Sequence, residues 1–194
     1  MDYTGCRPLS DTELNQMLAV CDGKYASRDR LFLLMGAYTG FRVSEILAIA
    51  VRDAWDGTAP LHQVCVAKGF MKGKVRSRTM PLHQKVRDAI CQLMKERQAY
   101  HPDDPLFTNQ RTRKRLSRRR PASIIEKLAV AAEVSTDRLG THSLRKNFAS
   151  RMWQHPLIKG DMARMARLLG HVNFSNTLRY LEFTTDLEQA VLTG

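Results

Sequence analysis

Apolar residues recur at helical spacing along most of this chain, and the pattern breaks once, between residues 61 and 82, where they alternate. That single change of period sets the fold class: mainly α with a small antiparallel β-sheet, an α+β arrangement. Ser10-Asp11-Thr12-Glu13 is a capping box, followed by Leu14, Met17 and Leu18 on one helical face. Residues 29–38 form an apolar helical run that Gly40 ends, and a short helix follows over 43–51. Residues 61–68 turn strand-like through Val64 and Val66, 69–74 are rich in Gly and Lys, and 75–82 form a second strand. Together they read as a β-hairpin with a basic tip.

Beyond the hairpin, residues 83–100 read as an amphipathic helix through Val86, Ile90, Leu93 and Met94. Another covers 123–134, with Ile124, Ile125, Leu128 and Ala132 inward, and 141–153, 161–169 and 177–183 complete the helices. Neither an internal repeat nor a linker interrupts the 194 residues, so the expectation is one domain over 1–194.

Charge narrows the partner. Thirty-one Lys and Arg against nineteen Asp and Glu leave +12, a balance that suits a polyanion but is shared by ribosomal and membrane-surface proteins. The run Arg111-Thr112-Arg113-Lys114-Arg115-Leu116-Ser117-Arg118-Arg119-Arg120 holds seven cations and no acid. A solvated loop is the plain reading, yet this concentration fits phosphate-backbone contact better. Cations at a helix start oppose the helix dipole, so helix stability does not account for them. With no apolar stretch of about 18 residues and no apolar signal core near Met1, the expected location is the cytoplasm. Cys6, Cys21, Cys65 and Cys91 lack zinc spacing and read as reduced, mostly buried residues; neither a structural metal nor a cofactor is expected.

Three segments carry groups suited to chemistry: Thr39-Gly40-Phe41-Arg42-Val43-Ser44-Glu45-Ile46-Leu47, Thr141-His142-Ser143-Leu144-Arg145, and Leu168-Leu169-Gly170-His171, with Tyr180 nine residues further on. Singly, each has an ordinary explanation. Arg42 and Glu45 suit a surface i,i+3 pair. His142 suits a polar helix start, Tyr180 an amphipathic core position, and Gly170 a routine helix C-cap. Jointly they suit phosphodiester cleavage without a metal, which needs a nucleophile, a proton acceptor, a proton donor and cations around the transition state. Arginines clamp non-bridging oxygens bidentately. His142 and Arg145, at i and i+3, lie on one helix face. A tyrosine hydroxyl, with a reference pKa of about 10, loses its proton during attack with help from a base and from cations.

The segments TGFRVSEIL, THSLR and LLGHVNFSNTLRY resemble the motif boxes of the phage-integrase family of tyrosine recombinases, in the family's order and over nearly the whole chain. The resemblance implies that Arg42 and Arg145 bind the scissile phosphate, that His142 is the general base, and that His171 hydrogen-bonds the phosphate. Tyr180 then attacks phosphorus to give a 3′-phosphotyrosyl link and a free 5′-hydroxyl, while Glu45 supports the first arginine. A hairpin lysine would protonate the leaving oxygen: Lys72 best matches the family's turn before Arg78-Thr79-Met80-Pro81-Leu82, with Lys68 and Lys74 as rivals. Lys146 and Asn147 stand where many members carry a histidine after the arginine.

The resemblance also implies double-stranded DNA as partner, a synaptic tetramer on DNA and a monomer without it. The family's N-terminal core-binding domain is absent from this chain, which suits either an excised catalytic domain or a compact recombinase like the fimbrial inverters. Two other readings stay open: type IB topoisomerase-like relaxation, and DNA binding without catalysis on the same fold.

Overall fold

A computed structural model describes residues 5–67, 69, 77–97, 99–109 and 111–170. Among these, helices α1 (Asp11–Ala19), α2 (Ala26–Thr39) and α3 (Val43–Ala48) precede strands β1 (Gln63–Val66) and β2 (Arg78–Pro81). Helices α4 (Gln84–Glu96), α5 (Arg120–Ala131), α6 (Thr141–Gln154) and α7 (Met162–Leu169) follow. The strands pair antiparallel, Gln63 opposite Pro81 and Val66 opposite Arg78. The fold is mainly helical with one small sheet, as the two apolar periods require.

Helix α2 is the axis of the core. Leu31, Phe32, Leu33, Met35 and Ala37 are fully enclosed, which explains why the run is apolar on every side. It packs against α4 and α6. Gly36 permits the close approach of α6, because a Cβ there would lie 2.8 Å from Leu144 Cδ1. Near the middle of α2, Phe32 meets Phe107 edge to face, with ring centroids 5.9 Å apart.

Several boundaries differ from the sequence reading, each for a visible reason. The helix expected over 43–51 stops at Ala48, because Ile49 and Ala50 extend to pair with the 104–106 segment. Leu106 N donates to Ile49 O at 2.9 Å and Val51 N to Asp104 O at 2.8 Å. A 3-10 turn over Val51–Asp53 follows. The helix expected over 83–100 ends at Glu96, and the next residue, Arg97, is drawn out by Pro105 O and Asp104. That expected over 123–134 starts instead at Arg120, since Pro121 presets the first turn. It closes before Glu133, which takes φ 55°. Of the four cysteines only Cys21 is buried, and Cys65 is exposed. Burial pushes the Cys21 thiol up to about 11. The expected helix over 177–183 lies outside the described residues, as does most of the hairpin tip.

The chain before α1 is sewn onto α6. Lys146 Nζ donates to Cys6 O at 2.6 Å, and Asn147 Nδ2 donates to Leu9 O at 2.7 Å and to Asp11 Oδ1 at 2.9 Å. The two residues that follow Arg145 on α6 thus help to fasten this segment. Arg7 adds bonds to Asp137 O and Ser135 O in the loop leading to α6. Arg151 beside Asp11 holds that carboxyl below its ordinary range, against the opposing effect of burial.

Candidate active site

The site is built around the turn that ends α2. Thr39 Oγ1 donates to Met35 O at 2.6 Å and accepts from Phe41 N at 3.2 Å, so one hydroxyl spans the helix end. Gly40 turns the chain at φ 59°, and a Cβ there would sit 2.3 Å from Phe148 Cδ1. Both conditions call for glycine. Arg42 then caps α3 with extended backbone. Glu45, fully buried, reaches back to accept from Arg42 N at 2.9 Å and from Arg42 Nη1 at 2.8 Å.

Arg145 reaches the same turn from α6. Its Nη1 donates to Gly40 O and its Nη2 to Leu169 O, and the side chain is 1% exposed. Leu169 lies at the end of α7, where carbonyls have lost their intrahelical donors and Gly170 turns the chain at φ 61°. His142 sits one turn before Arg145 on α6 and is exposed.

A third arginine joins them. Arg78 Nη2 donates to Thr39 O at 2.8 Å and to Leu168 O, and Nη1 lies 3.6 Å from Glu45 Oε2. Its guanidinium covers the Phe41 ring at 4.7 Å. Burial pushes this group down to about 9; repulsion from Arg145 and Arg42 acts the same way, and Glu45 opposes it. At neutral pH it keeps its charge. In the sequence Arg78 heads the stretch Arg78-Thr79-Met80-Pro81-Leu82 after the basic turn and carries no expected role in the site. The signal was present, however: Arg78 and Met80 occupy the inward positions of β2, and an arginine on the apolar side of an alternating strand needs internal acceptors.

Of the residues singled out in the sequence, the structure brings Arg42 and Arg145 to one turn and places His142 on the helix that carries Arg145. Lys72, its rivals Lys68 and Lys74, His171 and Tyr180 lie outside the described residues. Among the described residues, no three His, Cys, Asp or Glu side chains gather as metal ligands would. No helix there is long and apolar enough to cross a membrane.

The basic run forms a separate exposed feature. Thr108 and Arg115 pair across a tight turn, with Asn109 N donating to Lys114 O at 2.9 Å. Leu116 alone of the ten is buried, anchoring the segment while every cation faces solvent.

Comparisons with known proteins bear on the fold and the family. The family model described as the phage integrase family matches residues 7–186. Tyrosine recombinase XerC of Bacillus subtilis is 32% identical over 193 residues, covering 92% of this chain and 58% of that protein. Probable integrase/recombinase YoeC of the same organism is 27% identical over 163 residues, covering 84% of this chain and 82% of that protein. The chain thus spans between half and three fifths of the Xer relatives it matches. Among solved structures, XerH recombinase in a post-cleavage complex with its difH substrate superposes with a TM-score of 0.75 at 23% identity, covering 95% of this chain and 52% of that one. XerA recombinase gives 0.73 at 21%, covering 93% and 60%. The fold is therefore that of a tyrosine recombinase catalytic domain, and the chain belongs to the phage integrase family.

Proposed function

We propose that this chain cuts and rejoins double-stranded DNA in site-specific recombination, through a 3′-phosphotyrosyl intermediate and without a metal. The observation that carries the reading is the meeting of Arg42 and Arg145, from separate elements, at the Gly40 turn. Both repel the Arg78 guanidinium beside them, and a phosphate entering among these cations relieves the repulsion. Arg42 keeps 20% of its side chain open. Arg145 is enclosed, so its engagement requires the phosphate to enter the turn rather than lie across its mouth.

In this scheme the Tyr180 oxygen forms a bond to phosphorus while the bond to the 5′-oxygen breaks. The phenolic proton passes to His142, a hairpin lysine (Lys72 by preference) protonates the 5′-oxygen, and His171 hydrogen-bonds the phosphate. The reverse attack by a 5′-hydroxyl from another strand completes exchange. Synapsis of two sites calls for four protomers assembled on DNA, each a monomer before binding. The relatives come from bacteria and archaea, and the reaction belongs in the cytoplasm, where their DNA lies.

The test is covalent capture. A duplex nicked so that the cleaved fragment diffuses away should leave protein bound to DNA after denaturation, with the link mapping to the peptide that contains Tyr180. Failure to form any adduct, with binding intact, would overturn cleavage in favour of a binding-only protein. Relaxation of supercoils with no exchanged product would favour topoisomerase-like chemistry.

A second expectation concerns the exposed cations of residues 111–120. If they and their neighbours contact about six phosphates, the slope of log affinity against log salt is roughly −5. Replacing Arg118, Arg119 and Arg120 together with Gln should make that slope shallower by about 3. A filter-binding titration over salt reads both, and an unchanged slope removes this segment from the DNA footprint.

A further inference from the structure

We infer that Arg78 is a positioning residue for phosphate activation: it sets the two arginine clamps, Arg42 and Arg145, against the non-bridging oxygens. The inference rests on the recombinase reading above. Arg78 touches the holder of each clamp and never needs to touch DNA. Through Glu45, 3.6 Å from its Nη1, it shares the carboxylate that fixes Arg42 at both main chain and side chain. Through Thr39 O, at 2.8 Å, it grips the turn whose next carbonyl, Gly40 O, receives Arg145. Through Leu168 O it grips the helix end whose next carbonyl, Leu169 O, receives the other arm of Arg145. Arg78 and Arg145 thus bind adjacent carbonyls at both places, and neither turn can shift without carrying both side chains.

Burial argues the same way. Arg78 is 7% exposed and spread over the Phe41 ring, so its guanidinium is a fixed part of the wall. A residue kept only to hold the sheet against the helices would be better served by an aliphatic side chain, which carries no desolvation cost. An arginine is warranted where planar, forked donors must set several carbonyls at once. The consequence is electrostatic: displacing the clamps weakens charge stabilisation of the five-coordinate phosphorus, and leaves proton delivery to the 5′-oxygen as it was.

The experiment compares wild type with Arg78→Met on three nicked duplexes of the same sequence. One has the natural scissile phosphodiester. One has a methylphosphonate there, in which a neutral methyl replaces a charged non-bridging oxygen, so clamping matters less. One has a 5′-bridging sulfur, whose thiolate leaves without needing a proton. On the natural duplex Arg78→Met should cleave on the order of 100-fold more slowly, within the range lost on removing one preorganised donor. DNA affinity should change less than about 3-fold, because phosphate contacts elsewhere dominate it.

On the methylphosphonate the ratio of wild-type to variant rates should collapse to below about 5, and on the sulfur-leaving duplex it should stay near 100. Arg78→Lys keeps the charge but not the fork, and should show the same ordering with a smaller loss, on the order of 10-fold. It stands in if Arg78→Met does not fold, as judged by circular dichroism. Collapse on the sulfur duplex instead would assign Arg78 to leaving-group protonation. An equal deficit on all three duplexes would make its role purely structural, and no deficit would give it none. Each of these overturns the inference. Absence of adduct from wild type itself would strike the recombinase reading, which the natural duplex reports separately.

Discussion

Tyr180→Phe should bind the target duplex with wild-type affinity and yield no covalent adduct, with cleavage lowered on the order of 10⁴-fold or more. The substitution removes one oxygen and leaves the ring. On the footprint proposed above, the phosphate contacts that set affinity come from cations elsewhere, among them the exposed arginines between 111 and 120. The covalent step has no substitute for that oxygen, because water attack gives a free 3′-phosphate and no linked protein. Denaturing gels of the nicked duplex read the adduct and a mobility-shift titration reads the affinity. An adduct of normal yield from Tyr180→Phe would place the nucleophile on another side chain. Loss of both adduct and binding would mean that the aromatic hydroxyl supports the fold.

Glu45→Ala carries the largest expected cost to stability, about 3–5 kcal/mol, the usual penalty for breaking a buried ion pair from one side. The carboxylate has no solvent exposure and serves Arg42 N, Arg42 Nη1 and the neighbouring Arg78 guanidinium. Its loss leaves positive charge inside the protein without that counterion, where burial, joined by repulsion from Arg145 and Arg42, already depresses Arg78. For a domain of this size such a change lowers Tm by roughly 6–20 °C. Glu45→Gln keeps the volume and one acceptor for Arg42 N, and should cost about half as much. Thermal unfolding followed by circular dichroism decides it. A drop of less than about 1 kcal/mol for Glu45→Ala would show that the arginines find other acceptors, and the description of Glu45 as their holder would be wrong.

Much of this architecture was legible from residue order alone. The capping box at Ser10 and Glu13 starts α1 as read, and Glu13 Oε2 accepts from Ser10 N at 2.8 Å. Gly40 ends α2 and Gly170 ends α7, both in the left-handed region. The alternation through Val64 and Val66 found the first strand, and Pro81 closes the second. Local patterns fail where distant segments intervene. Nothing near Ala50 in sequence announces Pro105, the partner that straightens the chain after α3. Nothing near Arg97 announces Pro105 O, which draws it out of α4.

The site was legible in a different way. Arg42, His142 and Arg145 draw attention because their neighbours form boxes of fixed spacing. Arg78 opens the stretch Arg78-Thr79-Met80-Pro81-Leu82 and falls on the apolar side of its strand, but its partners at the Gly40 turn and at Leu168 emerge only in the folded chain. The fastening of residues 6 and 9 to Lys146 and Asn147 is likewise invisible without coordinates, since some 140 residues separate the partners.

Cys6, Leu9, Thr39, Gly40, Leu168 and Leu169 all supply main-chain oxygens, which every amino acid possesses. Drift of side chains at the receiving positions therefore cannot erase the acceptors, provided the chain keeps its path. Vulnerability gathers instead on a few giving residues, Arg78, Arg145, Lys146 and Asn147, on Gly40, whose turn admits no side chain, and on insertions or deletions that would slide the oxygens out of reach. A survey of random variants should accordingly find Leu168 far more permissive than Arg78, although each is one end of the same bond.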